Sequence, residues 1–466
     1  MNINSIPNNA ITLIDLLNKE NYKAYLVGGC VRDMLLGEQP HDFDICTSAL
    51  PSDTIDILKK NNISFHTVGE KFGTITAMFD NEEYEITTFR ADGEYSDGRH
   101  PDSVDYTDDI MEDLHRRDFT INAMAYHPST KTFIDPYGGR QDLKSKTLRT
   151  VQNPNKSFGD DGLRMLRALR FAIRFEMKID TATGDAIHSN LSLLDSISKE
   201  RITQEFEKLF YYNKSVKSLF LEFSDLIGYI IPEIKPCIGF DQNNQYHKHD
   251  VYEHLLSVVD LCDTDDFCTK MAALLHDIGK PNTYTVDEKG RGHFYGHPDE
   301  SVSIAMNLLL KDFKMPNDQY FIILSLIEYH DVTVANTKAS VKRMINKLNR
   351  RFNNTDMAVD TFNKWFILKQ ADIDDHINLN LDSDAITDIP RVKEILQQII
   401  EENACLKPSD LAISGYDIMQ ITGTKPGKHI GLIIQQLFEM VLDEKLPNNN
   451  EDLKAAVPSI WESINH

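Results

Sequence analysis

Residues 26–33 read Leu26-Val27-Gly28-Gly29-Cys30-Val31-Arg32-Asp33, and the tripeptide Asp42-Phe43-Asp44 follows shortly after them. The apolar run before the glycines is typical of a strand, and the apolar residues after Asp33 favour a helix. Glycines at a strand-to-helix turn let backbone N–H groups approach a phosphate, which the helix N-terminus also attracts. Arg32 can add a charge-assisted hydrogen bond. Although most Gly-Gly pairs are plain turns, this stretch predicts phosphate binding at Gly29 and Arg32.

Asp42 and Asp44 are the candidate metal ligands of this stretch. Residues two apart on a strand point to the same face, so we expect their carboxylates to lie side by side. Such a pair repels unless a cation neutralises it, and hard oxygen ligands suit Mg²⁺. An isolated Asp-x-Asp is usually a solvated loop, but the preceding glycine turn and arginine favour a site. We predict two-metal phosphoryl transfer with Asp42, Asp44 and Glu85 as the catalytic acids.

The chain divides into a mixed first part and a helical remainder. Short runs rich in Thr, Ile and aromatics, such as 74–79 and 84–89, are typical of strands. A polar stretch over 91–104 predicts an exposed, mobile loop. From about Lys144 the apolar residues repeat with helical spacing, for example over 163–175 and 202–210. The predicted class is α+β, with a mixed sheet and helices in the head and helices alone beyond it.

Composition narrows the class of function. The 49 basic against 72 acidic residues give a net charge of −23, which disfavours a general nucleic-acid binder and leaves only local basic clusters for that role. The six cysteines stand apart, without the spacing of a zinc clip, and predict free thiols. With neither a signal peptide nor an apolar span in the sequence, we expect a cytoplasmic protein that binds no membrane.

Together with 26–33 and 42–44, residues 116–124 carry a family resemblance. They read Arg116-Arg117-Asp118-Phe119-Thr120-Ile121-Asn122-Ala123-Met124. The head is similar to the polymerase-β-like superfamily, and more narrowly it resembles the bacterial tRNA nucleotidyltransferase and poly(A) polymerase family. The resemblance implies contacts to the ribose and triphosphate from Arg117, Asp118 and Asn122. It also implies that a complete 91–106 loop disfavours an enzyme that adds only cytidines.

Residues 160–170 predict how the base is read. Helical spacing places Asp161, Arg164, Arg167 and Arg170 on one polar ridge, although an ordinary Arg-rich amphipathic helix has the same pattern. The resemblance implies that Asp161 and Arg164 act as a template for the incoming base. Cytosine and adenine both present an amino donor beside an unprotonated ring nitrogen, which a carboxylate and a guanidinium match; guanine and uracil do not. Arg167 and Arg170 then face the triphosphate. Residues 198–205 match a fifth motif that predicts helix capping and packing.

The middle of the chain is rich in histidine. His254, His276-Asp277 and Asp372 resemble the metal-dependent phosphohydrolases of the HD superfamily, and His297 and His330 are further candidates. Imidazoles and carboxylates on separate helices can hold one or two divalent transition metals. A lone histidine is more often a packing residue, but the adjacent His-Asp pair after an apolar run is more specific. We predict a metal site and leave hydrolysis open.

Two weaker patterns follow. Residues 338–351 hold six basic side chains and no acid, which can contact RNA phosphate or form a solvated helix face. Residues 413–415 and 425–427 resemble the tail with which bacterial family members grip tRNA.

These patterns lead to one main interpretation: CCA is added to the 3′ end of tRNA from CTP and ATP, and pyrophosphate is released. The expected parts are a nucleotidyltransferase head (1–143), a helical neck (144–235), an HD-type helical domain (236–385) and a tRNA-binding helical tail (386–466). A poly(A) polymerase or an A-adding enzyme shares every head motif. A phosphohydrolase with a vestigial head and a non-enzymatic RNA-binding protein are the remaining interpretations of the same residues.

Overall fold

The computed structural model describes residues 5–91, 105–243, 248–376 and 387–465. The chain forms two compact units, one of residues 1–214 with 222–230 and the other of 215–221 with 231–466. The 91–104 loop predicted from composition lies almost entirely outside the described residues. Within the described ranges, no helix has both the length and the apolar character that a membrane span requires.

A seven-stranded sheet forms the centre of the first unit. Its strands, in the order in which they lie side by side, are β3, β4, β5, β2, β1, β6 and β7. Only β2 and β5 pair in parallel, and the other neighbours are antiparallel. The mixed sheet confirms the predicted α+β class. The strand bounds are β1 Ala24–Val27, β2 Ile45–Thr47, β3 Ser64–His66, β4 Thr74–Phe79, β5 Glu82–Thr88, β6 Ala125–His127 and β7 Thr132–Ile134.

Helices of this unit cover the sheet and continue beyond it. Ala10, Leu13, Ile14 and Leu17 of the first helix are buried in the same apolar cluster as Leu26 and Ile86 of the sheet, because their spacing places them on one helix face. The helices are α1 Asn8–Lys19, α2 Gly29–Leu36, α3 Pro51–Lys60, α4 Ile110–His115, α5 Gly139–Ser145, α6 Pro154–Asp160, α7 Arg164–Phe175, α8 Thr181–Ser189, α9 Lys199–Glu207 and, after α10 Lys217–Glu222, α11 Ser224–Ile230. All of α10 except Glu222 belongs to the second unit. A small parallel pair, β8 Thr147–Leu148 and β9 Lys178–Ile179, joins them.

The second unit is almost wholly helical. Its helices are α12 Val251–Leu261, α13 Phe267–Leu275, α14 Lys280–Thr283, α15 His297–Asn307, α16 Asn317–Tyr329, α17 Lys338–Phe352, α18 Thr355–Asp375, α19 Ile389–Glu401, α20 Gly415–Thr422, α21 Lys428–Leu442 and α22 Asn450–Asn465. The last three share an apolar core that includes Ile418, Leu437 and Val457.

We expected helices alone beyond the head, and this was wrong, because four short strands also occur among the residues described there. Besides β8 and β9, an antiparallel hairpin is formed by β10 (Thr285–Val286) and β11 (Gly292–His293). Asp287 closes its turn: its side chain accepts hydrogen bonds from the N–H groups of Lys289 and Arg291, each at 2.9 Å. Such short strands are set by local turn chemistry, which a search for helical periodicity does not detect.

Candidate functional site

The predicted phosphate turn lies where β1 ends and α2 begins. Gly28 has a φ of 77°, a conformation that other residues rarely adopt. A side chain there would also collide with Arg117, because a Cβ atom would lie 2.9 Å from its Nη1. The glycine therefore lets the turn and the guanidinium approach each other, next to the free N–H groups at the start of α2.

Arg32 is buried and held from several sides. Its Nη1 donates to Asn122 Oδ1 at 2.6 Å and its Nε donates to Asp33 Oδ1 at 2.7 Å. The guanidinium carbon lies 4.7 Å from the ring centroid of Phe175, within cation–π range. These contacts fix the position of a positive charge beside the glycine turn.

The hydrogen bonds continue from Asn122 to Asp118. Asp118 Oδ1 accepts from Asn122 Nδ2 at 3.0 Å, and Oδ2 accepts from Arg167 Nε at 3.0 Å. Burial raises the pKa of Asp118, but the Arg167 charge and the Asn122 bond outweigh it and hold that pKa well below its usual range. Arg32, Asn122, Asp118 and Arg167 thus form one continuous chain, although they come from three separate stretches of sequence.

The three predicted acids meet at the start of β2. The parallel register that pairs Ile45 with Ile86 places Asp44 beside Glu85 of the next strand. The pKa of Asp44 is raised to about 6. Burial is the main cause, the negative charges of Glu85 and Asp42 add to it, and Arg117 partly opposes it. A divalent cation would relieve this crowding of carboxylates, so the residues fit a magnesium site. The aspartates precede the strand, which begins at Ile45, and the expectation that they lie within it was wrong.

The helical ridge predicted for 161–170 is also corrected. Helix α7 begins at Arg164, whereas Asp161 lies in the extended turn after α6, with φ −152° and ψ 107°. Its Oδ1 accepts from the N–H of Leu163 at 3.0 Å, so it closes the turn that starts the helix. A side chain at Gly162 would lie 3.0 Å from the Leu193 carbonyl oxygen, which keeps this turn tight.

The predicted base readers are bonded to other protein groups. Asp161 Oδ2 accepts from Arg201 Nη2 at 3.0 Å. Arg164 donates from Nη1 to Ser157 Oγ at 2.8 Å and from Nη2 to the Arg116 carbonyl at 3.0 Å. The described contacts therefore orient the two side chains separately, with their partners on α6, α9 and the end of α4.

The fifth motif, 198–205, braces this segment. Arg201 holds Asp161, and Glu205 pairs with Arg170, whose side chain is buried. The predicted packing role agrees with these contacts, but Ser198 makes no side-chain cap on α9. Arg170 thus pairs with Glu205, whereas Arg167 pairs with Asp118. Arg201 was not among the predicted site residues; its helical spacing of four from Glu205 was the available signal.

The histidine-rich residues of the second unit converge in a buried cluster. Ligand atoms of His254, His276 and Asp372 lie within 4.8 Å of one another, and so do those of His276, Asp277 and His330. Gly279 makes this possible, because its missing side chain lets Ser301 N and the His297 carbonyl come within 2.6 and 2.8 Å of the Cβ position. The structure therefore brings together the four predicted ligands and His330.

Asp277 lies between two pairs of imidazoles. Its Oδ2 is 3.3 Å from Nε2 of both His254 and His276. Its Oδ1 is 3.1 Å from His297 Nε2 and 3.5 Å from His330 Nε2. Lys280 and His276 outweigh burial and hold the pKa of Asp277 well below its usual range. Each oxygen of this ionised carboxylate faces its own pair of imidazoles.

The outer nitrogens of these histidines set their tautomers. Nδ1 of His276, His297 and His330 faces the backbone carbonyl of Ala273, Phe294 and Ile327 at 2.8, 2.8 and 2.7 Å. His254 Nδ1 is 2.8 Å from Asp375 Oδ2. Carbonyl and carboxylate oxygens accept here, so Nδ1 carries a hydrogen. In the neutral imidazole, the form that binds a metal, Nε2 then presents a lone pair to the cluster.

A divalent cation between two Nε2 atoms that face each other would be bound by both imidazoles. The two Nε2 atoms of His254 and His276 are 3.3 Å apart, and those of His297 and His330 are 3.1 Å apart. Outer hydrogen bonds of this kind orient histidine ligands in metal sites. The donor set of imidazole and carboxylate fits divalent transition metals. Asp375, three residues after Asp372 on α18, was missed, although this spacing places both on one helix face.

The basic run 338–351 lies in α17, and five of its six charges are paired with acids of the same unit, while the sixth, Lys347, lies over the Tyr329 ring. Lys338 lies 2.6 Å from Glu402, Lys342 lies 3.3 Å from Glu444, and Arg351 lies 2.7 Å from Glu328. Arg343 and Arg350 pair with acids of α21 and its end. These contacts favour the interpretation as a structural helix over contact with RNA phosphate.

Three family models match separate parts of the chain. Residues 24–149 match the "Poly A polymerase head domain". Residues 176–238 match "Probable RNA and SrmB- binding site of polymerase A", and residues 302–457 match "tRNA nucleotidyltransferase domain 2 putative". The first match contains the predicted acids and most of the hydrogen-bonded chain around Asp118.

Relatives and a solved structure agree with these models. The CCA-adding enzyme of Geobacillus thermodenitrificans is 44% identical over 200 residues, which are 43% of this chain and 48% of that protein, so the match spans about half of that relative's length. The solved structure of the Bacillus stearothermophilus CCA-adding enzyme in complex with CTP has a TM-score of 0.69 at 24% identity, covers 98% of both chains, and supports the fold. The CCA-adding enzyme of Limosilactobacillus reuteri is 31% identical over 458 residues, which are 96% of this chain and 95% of that protein. The chain belongs to the CCA-adding enzyme family.

Proposed function

We propose that this chain is a nucleotidyltransferase that adds CCA to the 3′ end of tRNA from CTP and ATP, releasing pyrophosphate. The observation that carries the proposal is the continuous chain Arg32–Asn122–Asp118–Arg167, which lies beside the glycine turn. Family membership favours this reaction over a poly(A) polymerase, an A-adding enzyme, or a protein without activity. Such a reaction needs positioned charges more than covalent chemistry from the protein.

Asp42 and Asp44 would hold Mg²⁺, with Glu85 as the third acid. When bound, magnesium neutralises the triphosphate and lowers the pKa of the attacking 3′-hydroxyl. The N–H groups at the start of α2 and the Arg117 guanidinium offer positive charge to the phosphates. Asn122 and Asp118 provide an amide and a carboxylate for the ribose hydroxyls, which an RNA-specific enzyme must recognise.

Asp161 and Arg164 are proposed to read the base. The carboxylate would accept from the amino group of cytosine or adenine, and the guanidinium would donate to the ring nitrogen. Both side chains already hold protein partners. A carboxylate has several lone pairs, so Asp161 can accept from the base while it keeps its bond to Arg201, whereas Arg164 exchanges Ser157 or the Arg116 carbonyl for base atoms. Guanine and uracil present the opposite pattern and would leave buried groups unpaired.

The test is extension of tRNA that lacks CCA, with each nucleotide offered alone and in mixture. We expect CTP to be required before ATP and the product to stop after three added residues. A long A-tail, or addition of A only to tRNA that already ends in CC, contradicts the proposal. GTP and UTP serve as matched controls, because they differ from the substrates in the groups that face Asp161 and Arg164.

A second candidate activity is metal-dependent phosphohydrolysis at the histidine cluster, as an HD-type domain. Asp277 faces two imidazole pairs, and each pair presents lone pairs about 3 Å apart. Elemental analysis of the purified chain should find about two equivalents of a divalent transition metal. His276→Ala should lose most of it, whereas Asp42→Ala should retain it. A wild-type chain without transition metal contradicts this second activity and leaves the first untouched.

We also propose the finer organisation expected from the sequence. In it, residues 1–143 form the head, 144–235 the neck, 236–385 the HD-type domain and 386–466 a tail that binds tRNA. A cytoplasmic location is proposed with it, since the tRNA substrate and nucleotides are found there. The helical tail has its own apolar core, which supports its treatment as a separate part.

A further inference from the structure

A cleft of about 420 Å³ opens beside the histidine cluster. This volume is within the range of pockets that hold small ligands. The cleft is lined both by the cluster residues Asp277, His297, His330 and Asp372 and by the hairpin segment Arg291–Tyr295. A molecule in the cleft would therefore contact both the cluster and the hairpin.

Tyr295 forms an aromatic surface on this hairpin segment. Its side chain is 78% exposed, whereas tyrosine is on average a largely buried residue. The ring lies parallel to that of His293, with an interplanar angle of 7° and a centroid distance of 5.2 Å. Because Tyr295 lines the cleft, its ring offers a flat apolar face to a molecule bound there.

The two rings are held in place by the hairpin. A side chain at Gly292 would lie 2.5 Å from the Gln242 carbonyl oxygen, so β11 packs tightly against that segment. His293 Nε2 is 3.2 Å from Asp287 Oδ2 in the turn. Gly296 then turns the chain with a φ of 79°, which separates exposed Tyr295 from His297 in the cluster. The aromatic surface thus lies two residues from a candidate metal ligand.

Positive groups line the same cleft. Lys280 is buried, and its Nζ is 2.6 Å from Asp277 Oδ2 and 2.8 Å from Gln242 Oε1. Arg291, at the start of β11, is half exposed and 3.3 Å from Asp287. A phosphate at the cluster would lie near these two cations, each of which also contacts a carboxylate, while a flat ring attached to the phosphate would extend towards Tyr295 in the same cleft.

We propose that this cleft binds a nucleoside phosphate, whose phosphate lies at the histidine cluster and whose base stacks on Tyr295, with His293 behind the ring. The inference rests on the second candidate activity. In hydrolysis, a water oxygen forms the new P–O bond, the ester P–O bond breaks, and the leaving oxygen takes a proton to become the alcohol. Tyr295 takes no part in that step; it determines which ester is held. Stacking accepts any base, because each has a π face.

The test measures binding separately from turnover. The probes are a phosphonate analogue of AMP, in which a methylene replaces the ester oxygen, and the corresponding ribose phosphonate without the base. Titration calorimetry is run on the metal-loaded full chain, on Tyr295→Ala and on Tyr295→Phe. Binding heat that is still measured with the His276→Ala variant is assigned to other sites on the chain. It is subtracted from the heats measured with the other proteins.

We expect Tyr295→Ala to weaken the adenosine probe about tenfold, in line with the loss of one base–aromatic contact. Tyr295→Phe keeps the ring and should stay within about twofold of wild type, and the ribose probe should bind equally to all three proteins. Unchanged adenosine binding in Tyr295→Ala overturns the stacking role. Equal binding of phenylphosphonate and the adenosine probe overturns the nucleoside assignment.

The possible results distinguish a failure of the Tyr295 stacking role from a failure of the proposed phosphohydrolase activity. A wild-type chain that retains its metal and binds the ribose probe, but does not distinguish Tyr295→Ala, contradicts only the stacking platform. A chain without metal contradicts the second activity itself. CCA addition is measured on the same variants and should be unchanged in Tyr295→Ala.

Discussion

Arg201 Nη2 donates a hydrogen bond to Asp161 Oδ2 at 3.0 Å, while Asp161 Oδ1 accepts from the backbone of Leu163. The carboxylate proposed to read the base is therefore oriented by a residue of the following helix. Bonds to charged groups are among the stronger hydrogen bonds in proteins, and both side chains here are largely sheltered. We therefore expect selection of the base to depend on helix α9 as well as on the residues proposed to contact the base.

Arg201→Ala should reduce the accuracy of base selection. Without its partner, Asp161 can rotate away from the amino group of the base, so we expect kcat/KM for CTP and ATP to fall about tenfold, which corresponds to about 1.4 kcal/mol. We expect kcat/KM for UTP and GTP to fall less. The ratio of kcat/KM between the correct and the incorrect nucleotides should therefore become smaller. Arg391→Ala, which removes an exposed arginine on α19, is the control. Equal losses for all four nucleotides would contradict the orienting role.

Asp118→Asn should lower both activity and stability. The change removes the carboxylate that Arg167 contacts and that Asn122 donates to. The Asp118–Arg167 pair is only partly buried, because the Arg167 side chain is 33% exposed, so we expect its loss to cost about 1–3 kcal/mol. The melting temperature should fall, and kcat for CTP should drop by at least about a hundredfold. Wild-type kcat in the variant would place Asp118 outside the reacting site.

The two proposed sites should be separable by single changes. Asp42→Ala removes a candidate magnesium ligand and should abolish nucleotide addition, because the triphosphate loses the cation that neutralises it. It should leave the transition-metal content of the histidine cluster unchanged. His276→Ala should lower that metal content and any phosphatase activity while nucleotide addition continues. Extension assays and elemental analysis on both variants provide the check, and loss of both activities from either change would show that the sites are coupled.

The cysteines should resist alkylation in the folded protein. All six are buried and free, and burial raises the pKa of Cys30, Cys237 and Cys262 to about 12. A raised pKa keeps the thiol protonated, so at pH 8 only about one molecule in ten thousand carries the reactive thiolate at these positions. Labelling with iodoacetamide should be negligible at pH 8 and complete in denaturant. Protonation of these thiols therefore stabilises the folded state fully at pH values below the thiol pKa of the unfolded chain, and this stabilisation is lost as the pH rises towards 12.

Lys338→Ala should leave tRNA affinity within about twofold of wild type, even though it removes a charge from the basic run. Lys338 Nζ contacts both carboxylate oxygens of Glu402, at 2.6 and 2.7 Å, so its charge is already balanced. Glu402→Ala removes the partner instead, and both variants should lose no more than about 1 kcal/mol of stability, as is usual for exposed pairs. Filter binding with tRNA and thermal melting test this. A large loss of tRNA affinity in Lys338→Ala, without a similar loss in Glu402→Ala, would instead indicate that α17 contacts RNA.

Local pattern was sufficient for much of the head. The glycine turn, the short β-rich runs and the spacing of Asp42 and Asp44 are features of a few adjacent residues, and they predicted a mixed α+β fold with an acidic site. The same kind of pattern failed at Asp161, because its helical spacing from Arg164 is real but a tight turn at Gly162 starts the helix later. Periodicity measures the spacing of residues and does not detect the contact that ends or begins an element.

The sequence by itself determined which residue types are available for the proposed chemistry: the carboxylates before β2, the amide and carboxylate of 118–122, and the histidines of the second unit. Only the tertiary structure decided which of them meet. Pairing of β2 with β5 brings Glu85 beside Asp44, although the two are far apart in the chain. Packing of α12, α13 and α18 places His254 and Asp372 within 3.4 Å. Contacts between distant segments depend on how the elements pack, and no local spacing encodes that packing.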